Sequence, residues 1–201
     1  MMKIGLYQLK YPARKLIEWV LPFVKDVSPN TISFLMLPVG LAIAVCSYVG
    51  LHSYPGLLLV AFLFCFLRMF LGTLDGLMAM RFNKESPTGE LLNRLAPELC
   101  DVMYLIAITL ARPDLYVLGL TVICLAWLTS FLGTLGSLVS RPIQSVGPVG
   151  QTDRLAAFML VLLLQYFGAS IDFIQFFMWW CIGGGILTVM LRLWRTFYVS
   201  K

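Results

Sequence analysis

Side chains that could support chemistry are concentrated in two consecutive apolar segments. The first segment carries Arg68 and Asp75, and the second carries Glu90, Asn93, Arg94, Glu98 and Asp101. Ionisable residues inside membrane spans are candidates for function because charge in hydrocarbon is costly. If the segments are antiparallel helices, Asp75 and Asn93 lie toward the same end, where a hydrophilic cavity can open. Carboxylate and amide oxygens there are the hard ligands that Mg²⁺ takes. The alternative is that the charges only neutralise one another and hold the helices together.

The surrounding composition indicates that these segments lie in a membrane. Of the 201 residues, 60% are hydrophobic and 12% charged, and the mean hydropathy is +0.87. Soluble domains are nearer half apolar and a quarter charged. The pattern predicts an all-α integral membrane fold with about six transmembrane helices of roughly 20 residues. We place them near residues 31–51, 55–80, 88–111, 114–139, 153–168 and 172–196, the fifth being short for a span.

The start of the chain predicts a separate element. Its apolar residues share one helical face and its Lys and Arg residues lie elsewhere, a pattern typical of an amphipathic helix on the membrane surface. The break at Ser28 and Pro29 ends it. The predicted organisation is an interfacial helix over residues 1–27 and a six-helix transmembrane domain over residues 28–201.

The loop charges predict the orientation. Lys and Arg residues of the N-terminal segment, of the loops at 81–87 and 140–152, and of the C-terminal end fall on one side of the six-helix layout. By the positive-inside rule, both termini and both loops lie in the cytosol, in a bacterial inner membrane. The net charge of +5 fits loops near anionic headgroups. No basic run is dense enough to indicate nucleic-acid binding.

The two polar segments resemble the signature of the CDP-alcohol phosphotransferase family, D-x2-D-G-x2-A-R-x8-G-x3-D-x3-D. Four residues match its spacing: Asp75, Gly76, Ala79 and Gly89. The first Asp, the Arg, the third Asp and the fourth Asp are replaced by Gly72, Met80, Asn93 and Pro97. Of the four acids of the signature, this sequence therefore keeps one.

Two further stretches are similar to the family. Residues 28–33 (SPNTIS) open the first span, and residues 147–154 (GPVGQTDR) precede the fifth. Arg154 at a helix start suits a phosphate, because its guanidinium adds a charged fork to free backbone N–H groups. The alternative is a positive-inside anchor with Asp153 as helix N-cap. In the last span, Gly183–Gly185 predicts close helix packing.

The resemblance implies a role for each candidate residue if Glu98 and Asp101, which lie within one turn of Pro97, replace the lost acids. The metal ligands would be Asp75, Asn93 and Asp101, and the catalytic base Glu98 or Asp101. The nucleotide pocket would be formed by Asn30, Gly76, Ala79 and Gly89. Phosphates would be met by Lys84, Arg141 and Arg154. The implied cofactor is Mg²⁺ or Mn²⁺, which bridges phosphate oxygens. The implied partners are a CDP-linked lipid donor, an alcohol acceptor, membrane lipids and a second copy in a homodimer.

Two main functions stay open. The first is transfer of a phosphatidyl or similar phospho group from a CDP-linked donor to an alcohol, with release of CMP, in phospholipid synthesis. The second follows from the lost acids: a catalytically inactive member that acts as a membrane scaffold or as a lipid-binding partner of a lipid enzyme. A small transporter is a minor third, since intramembrane charges also line transport paths.

Overall fold

Six α-helices make up the described part of the protein. The computed structural model describes residues 19–135, 146–169 and 172–198. The helices are α1 (Pro29–His52), α2 (Gly56–Arg81), α3 (Pro87–Ala111), α4 (Tyr116–Leu135), α5 (Gln151–Tyr166) and α6 (Asp172–Tyr198). Short 3-10 turns precede α1 at Leu21–Val24 and α4 at Pro113–Leu115. The predicted all-α fold is confirmed, and these ranges contain no β-strand.

The helices coincide with the six predicted spans, but they differ in membrane character. Four helices of the described chain are long and apolar enough to cross a bilayer: α1, α2, α4 with its preceding turn, and α6. Helix α3 has 25 residues and carries four charged residues, more than any other of the six helices: Glu90, Arg94, Glu98 and Asp101. Helix α5 has 16 residues, fewer than the roughly 20 that span hydrocarbon. Charged side chains are therefore found on α3 and α5, and also on two of the apolar helices: Arg68 and Asp75 lie on α2, and Arg192 lies on α6.

The predicted interfacial helix over residues 1–27 lies mostly outside the described residues. Its last part is a helical turn followed by the 3-10 turn at Leu21–Val24. Trp19 and Phe23 are 71% and 76% exposed there and pack edge to face. The boundary at residue 28 stays a prediction.

Serines at the starts of α1 and α3 set the helix ends that matter for the site. Ser28 precedes α1 in an extended conformation, and Pro29 takes the first helical position, which suits its fixed φ. The Ser86 hydroxyl accepts a hydrogen bond from the Gly89 backbone N–H at 3.0 Å, as an N-cap residue does. Both helices therefore begin at defined residues, on either side of the end of α2.

Packing between the helices relies on small residues and stacked rings. Helix α1 lies against α2 and α3, α4 lies against α6 and α3, and α5 lies against α2 and α6. A Cβ on Gly40 of α1 would lie 2.6 Å from Cys100 Sγ of α3, so these two helices approach closely. Tyr104 of α3 stacks on Phe158 of α5 with ring centroids 4.1 Å apart. These contacts hold α3 in the centre of the bundle.

The segment before α5 is inserted against α6. The Val149 backbone N–H donates to Thr188 Oγ1 at 3.2 Å, and Arg192 Nε donates to the Val146 carbonyl at 2.9 Å. Helix α5 begins at Gln151, two residues earlier than predicted. Asp153 is not its N-cap: it lies in the first turn, and its Oδ2 accepts from the Gly150 N–H at 3.0 Å. The segment thus fixes where α5 starts.

The three consecutive glycines of α6, Gly183 to Gly185, lie in three different surroundings. A Cβ on Gly184 would lie 2.2 Å from Val149 Cγ2, and one on Gly185 would lie 3.5 Å from Leu125 Cβ of α4. A Cβ on Gly183 would meet nothing within 4 Å. The close packing predicted from the triplet holds at Gly184, where the partner is the inserted segment rather than a helix.

We expect Gly184→Ala to lower stability and Gly183→Ala to preserve it. The new methyl at 184 overlaps the buried Val149 side chain, and overpacking of this kind costs about 1–3 kcal/mol. At 183 the methyl enters open space, and Ala favours a helix over Gly by about 1 kcal/mol. Thermal unfolding of both variants in detergent measures the difference. A Gly184→Ala variant as stable as Gly183→Ala would contradict the packing described.

Candidate functional site

A cavity of about 610 Å³ opens between the N-terminal ends of α1 and α3 and the C-terminal part of α2. It collects the residues predicted for the nucleotide pocket, together with three of the other candidates: Asn30, Gly76, Ala79, Gly89, Asp75, Asn93 and Lys84. Ser33 of α1 and the turn at residues 84–87 complete the wall. The geometry therefore gathers the signature residues in one place.

Asp75 is the buried carboxylate of this cavity. Its residue is 2% exposed, and its Oδ2 accepts a hydrogen bond from the Ser33 hydroxyl at 2.6 Å. Its Oδ1 accepts from the Gly76 backbone N–H at 2.6 Å. Hydrogen bonds to a charged acceptor are the stronger kind, so the carboxylate is held toward α1. Ser33 was not among the predicted site residues, although a polar residue one turn after Asn30 in an apolar helix was a signal for it.

Two glycines let the backbone line the cavity. A Cβ on Gly76 would lie 3.2 Å from Asn93 Nδ2, and one on Gly89 would lie 2.9 Å from Asn30 Oδ1. The amides of Asn93 and Asn30 thus stand opposite bare backbone. A larger residue at either glycine would fill the space between α1, α2 and α3.

Lys84 borders the cavity, but its ammonium is engaged elsewhere. Lys84 Nζ donates to the carbonyls of Lys25 and Val27 at 2.6 and 3.2 Å. The turn before it contains Asn83 with a φ of 51°, a conformation that Asn tolerates better than most residues. The side chain ties this turn to the segment before α1. Its phosphate-binding role stays a prediction.

Three of the predicted residues form a separate, buried ionic cluster with Arg68. Asp101 Oδ1 accepts from Arg68 Nη2 at 2.8 Å, and its Oδ2 accepts from Arg154 Nη2 at 3.1 Å. The same Arg154 nitrogen lies 3.1 Å from Glu98 Oε2. Asp101 is fully buried, and Arg154 is 2% exposed. With two positive and two negative groups, the cluster is neutral.

The cluster extends to α4 and α6. The Ser130 hydroxyl donates to Glu98, and Arg154 Nη1 donates to Thr129 Oγ1 at 3.4 Å. Arg192 of α6 donates to the Thr129 carbonyl. Five helices, α2 to α6, therefore meet around these charges.

The described residues do not assemble the predicted metal site. Asp75 and Asn93 line the cavity, whereas Asp101 and Glu98 do not. Eight residues of helix turn Asp101 about 80° away from Asn93, and the two arginines then take up both of its oxygens. Within residues 19–135, 146–169 and 172–198, no group of three or more His, Cys, Asp or Glu side chains could hold a metal ion. The residues present do not fit a divalent-cation site.

Of the two arginines predicted to bind phosphate, Arg154 is described and does not line the cavity. Arg154, expected to meet phosphate, pairs with Asp101 and Glu98 instead. Arg141 lies outside the described residues. The charges of the ionic cluster are mutual partners. The residues predicted for the nucleotide pocket line the cavity, and their role in binding a nucleotide stays a prediction.

Comparison with known proteins identifies the family. The model of the CDP-alcohol phosphatidyltransferase family matches residues 26–196. This chain belongs to the CDP-alcohol phosphatidyltransferase family. The resemblance inferred from the signature is confirmed, and with it the membership of a family of membrane phosphotransferases. The inner membrane protein YnbA of Escherichia coli (strain K12) is 28% identical over 160 residues, which cover 77% of each chain.

Solved structures agree with the phosphatidyltransferase fold. The phosphatidylinositol phosphate synthase of Mycobacterium tuberculosis, in complex with manganese and citrate, superposes with a TM-score of 0.76 at 14% identity. That match covers 92% of this chain and 89% of the synthase. The same synthase with CDP-DAG bound gives a TM-score of 0.75, covering 92% and 94% of the two chains. At this identity the likeness establishes the fold.

We expect Asp101→Ala to destabilise the protein far more than Glu90→Ala. Removing Asp101 leaves two buried guanidinium groups without their shared carboxylate, a kind of change that costs about 3–5 kcal/mol. Glu90 and Arg94 form an exposed pair, with side chains 67% and 38% exposed, worth about 0.3–0.5 kcal/mol. Unfolding by a denaturing detergent, followed by Trp fluorescence, compares the variants. Equal, small losses would mean that the cluster does not stabilise the bundle.

Proposed function

We propose that the protein binds the CDP group of a CDP-linked lipid in the cavity between α1, α2 and α3. The observation that carries the proposal is the convergence of Asn30, Gly76, Ala79 and Gly89 on one cavity of about 610 Å³. Pockets for small molecules are commonly about 300–1,000 Å³. The volume is therefore suitable for a nucleotide, and the bare backbone at the two glycines allows its close approach.

The surroundings of the cavity suit a lipid-linked ligand. Met80 lines the cavity and is 55% exposed, and Leu91 in the first turns of α3 is 60% exposed. The exposed side chain of Met80 offers apolar surface for an acyl chain where the cavity opens. Arg81 and Lys84 stand at the same end of α2. Under the positive-inside rule this end faces the cytosol, the compartment that supplies nucleotide-linked donors.

Two candidate functions share this binding step. In the first, an alcohol oxygen forms a bond to the phosphorus nearest the lipid, the bond from that phosphorus to CMP breaks, and the hydroxyl proton passes to a base. Family membership supports this transfer. In the second, the donor is bound without transfer, and the protein acts as a lipid-binding partner or scaffold.

The geometry favours binding without transfer. Transfer needs a base near the donor, and the two residues assigned to that role are occupied in the ionic cluster. Both oxygens of Asp101 accept from guanidinium groups, and Glu98 is held by Ser130 and Arg154. Asp75 is the signature acid that lines the cavity, and the residues around it do not fit the cation that would neutralise a departing phosphate. Homodimer formation stays a prediction from the resemblance.

We expect Gly76→Leu to weaken binding of CDP-diacylglycerol by more than about tenfold, a loss of roughly 1.4 kcal/mol. The Leu side chain would push against the Asn93 amide and occupy the cavity beside Asp75. Gly183→Leu is the matched control, because α6 has open space at that position. Binding of a fluorescent CDP-diacylglycerol to the purified full chain in detergent measures the effect. If both variants bind like the parent, the lipid does not enter this cavity.

We expect no CMP release above the protein-free background. Purified protein is incubated with CDP-diacylglycerol labelled in its cytidine, Mg²⁺ or Mn²⁺, and a panel of small alcohols and alcohol phosphates, and labelled CMP is counted. A phosphatidyltransferase of known activity in the same detergent is the positive control. CMP release that Asp75→Asn abolishes would establish the first candidate instead.

A further inference from the structure

The cavity ends where the first acid of the family signature would stand. Gly72 lies one turn before Asp75 on α2, and a Cβ there would lie 3.3 Å from Met36 Sδ of α1. Met36 is fully buried and packs with Ala96 and Cys100 of α3. Cys100 Sγ donates to the Met36 carbonyl at 3.1 Å. A thioether in an apolar contact thus borders the place of a cation-binding carboxylate, and Met36 does not line the cavity.

The place of the fourth acid lies beside a positive charge. Pro97 is buried, and its carbonyl accepts a hydrogen bond from Arg68 Nη2 at 2.8 Å. The same guanidinium nitrogen binds Asp101. Arg68 lies one turn before Gly72 on α2, and its guanidinium is held beside Pro97 by these two hydrogen bonds. Both oxygens of Asp101 are taken by guanidinium groups, so this carboxylate offers no open oxygen to a divalent cation near Pro97.

The place of the third acid holds a neutral hydrogen-bond donor. Asn93 Nδ2 faces Gly76 across the cavity, 3.2 Å from the position of a Cβ. An amide N–H donates directly to a phosphate oxygen, whereas a carboxylate at the same place would repel it unless a cation lay between them. The changes at 72, 93 and 97 therefore act together: three carboxylates that would hold cations, and that would repel a phosphate in the absence of cations, are missing, and Asp75 is the signature acid that remains.

We infer that the CDP group is held in this cavity without a divalent cation. The inference rests on the proposed binding function and accords with binding without transfer. Its donors are neutral: the Asn93 amide and the backbone N–H groups at the start of α1, which borders the cavity at Asn30. The Gly89 N–H at the start of α3 is bound to the Ser86 hydroxyl and is not counted among them. Helix N-termini attract anions because their N–H groups and dipoles point outward. Asp75 is held by Ser33 and by the Gly76 N–H, which spread its charge.

Two acidic side chains at the rim of the cavity repel an anionic ligand, but only weakly. Glu85 and Glu90 line the cavity and are exposed, and Glu90 is paired with Arg94 at 2.7 Å. Water and salt screen exposed charges. The rim therefore does not require a cation for an anionic ligand to enter.

The test measures binding of lipid and of metal separately, with the purified full chain in detergent. CDP-diacylglycerol is titrated in EDTA and in Mn²⁺, and Mn²⁺ binding to the lipid-free protein is followed by electron paramagnetic resonance. We expect the two lipid Kd values to agree within about twofold and the Mn²⁺ titration to match buffer. A Kd at least about tenfold tighter in Mn²⁺, or a saturable Mn²⁺ signal, overturns the inference.

A substitution at Asn93 tests whether a carboxylate at that position makes lipid binding depend on Mn²⁺. Asn93→Asp places a second carboxylate beside Asp75, so we expect lipid binding to weaken by about tenfold or more in EDTA and to recover in Mn²⁺. Asn83→Asp, in the exposed turn after α2, is the matched control and should bind as the parent does in both conditions. If Asn93→Asp binds lipid equally well with and without Mn²⁺, the Asn93 amide does not serve as the donor inferred here.

The outcomes separate this inference from the proposed function. If the parent binds no CDP-diacylglycerol in either condition, the proposed function fails, and the Mn²⁺ titration of the lipid-free protein still decides whether a cation site exists. If the parent binds the lipid in Mn²⁺ and not in EDTA, the proposed function stands and the inference fails.

Discussion

The neutralisation of charge inside the bundle is the constraint on which the rest of this structure depends. Asp101 is fully buried and shared between Arg68 and Arg154, so three helices must keep one relative placement. A buried ion pair need not raise stability above that of an apolar core, but breaking one is costly. The cluster therefore specifies the arrangement of α2, α3 and α5, and α4 and α6 follow through Thr129, Ser130 and Arg192.

This constraint divides α3 into two parts with different chemistry. Toward its N-terminus, Gly89 and Asn93 face the cavity with small or neutral groups. Beyond Pro97, Glu98 and Asp101 face arginines from neighbouring helices. Pro97 stands at the boundary, where its carbonyl binds Arg68. A family signature that places its acids on one continuous face is thus split here into a binding surface and a structural one.

Local spacing predicted the features that depend on a single helix or on two adjacent ones. Apolar segments and the polar breaks between them predicted the positions of the six described helices, four of which have the length and apolar character of a membrane span. The signature spacing predicted Gly76, Ala79 and Gly89 as neighbours of Asp75, because helix geometry fixes such relations. The ionic partners of Asp101 and Glu98 could not be predicted in the same way. It depends on Arg154, which comes from a distant helix, and on the rotation of α3 about its axis. The contact of Met36 with the position of Gly72 could not be predicted for a related reason. An apolar residue in an apolar helix gives no sequence signal of which neighbouring site its side chain fills.

The sequence separations within the ionic cluster bear on how the protein is made. Asp101 has one partner 33 residues behind it, Arg68, and another 53 residues ahead, Arg154. When α3 leaves the ribosome, Arg68 is already available to compensate Asp101, whereas the Arg154 partner of Glu98 has not been synthesised. The ionic cluster can therefore be complete only after α5 has been synthesised. The short helix α5 thus supplies the last charge of the cluster, and α6 then adds Arg192 beside it.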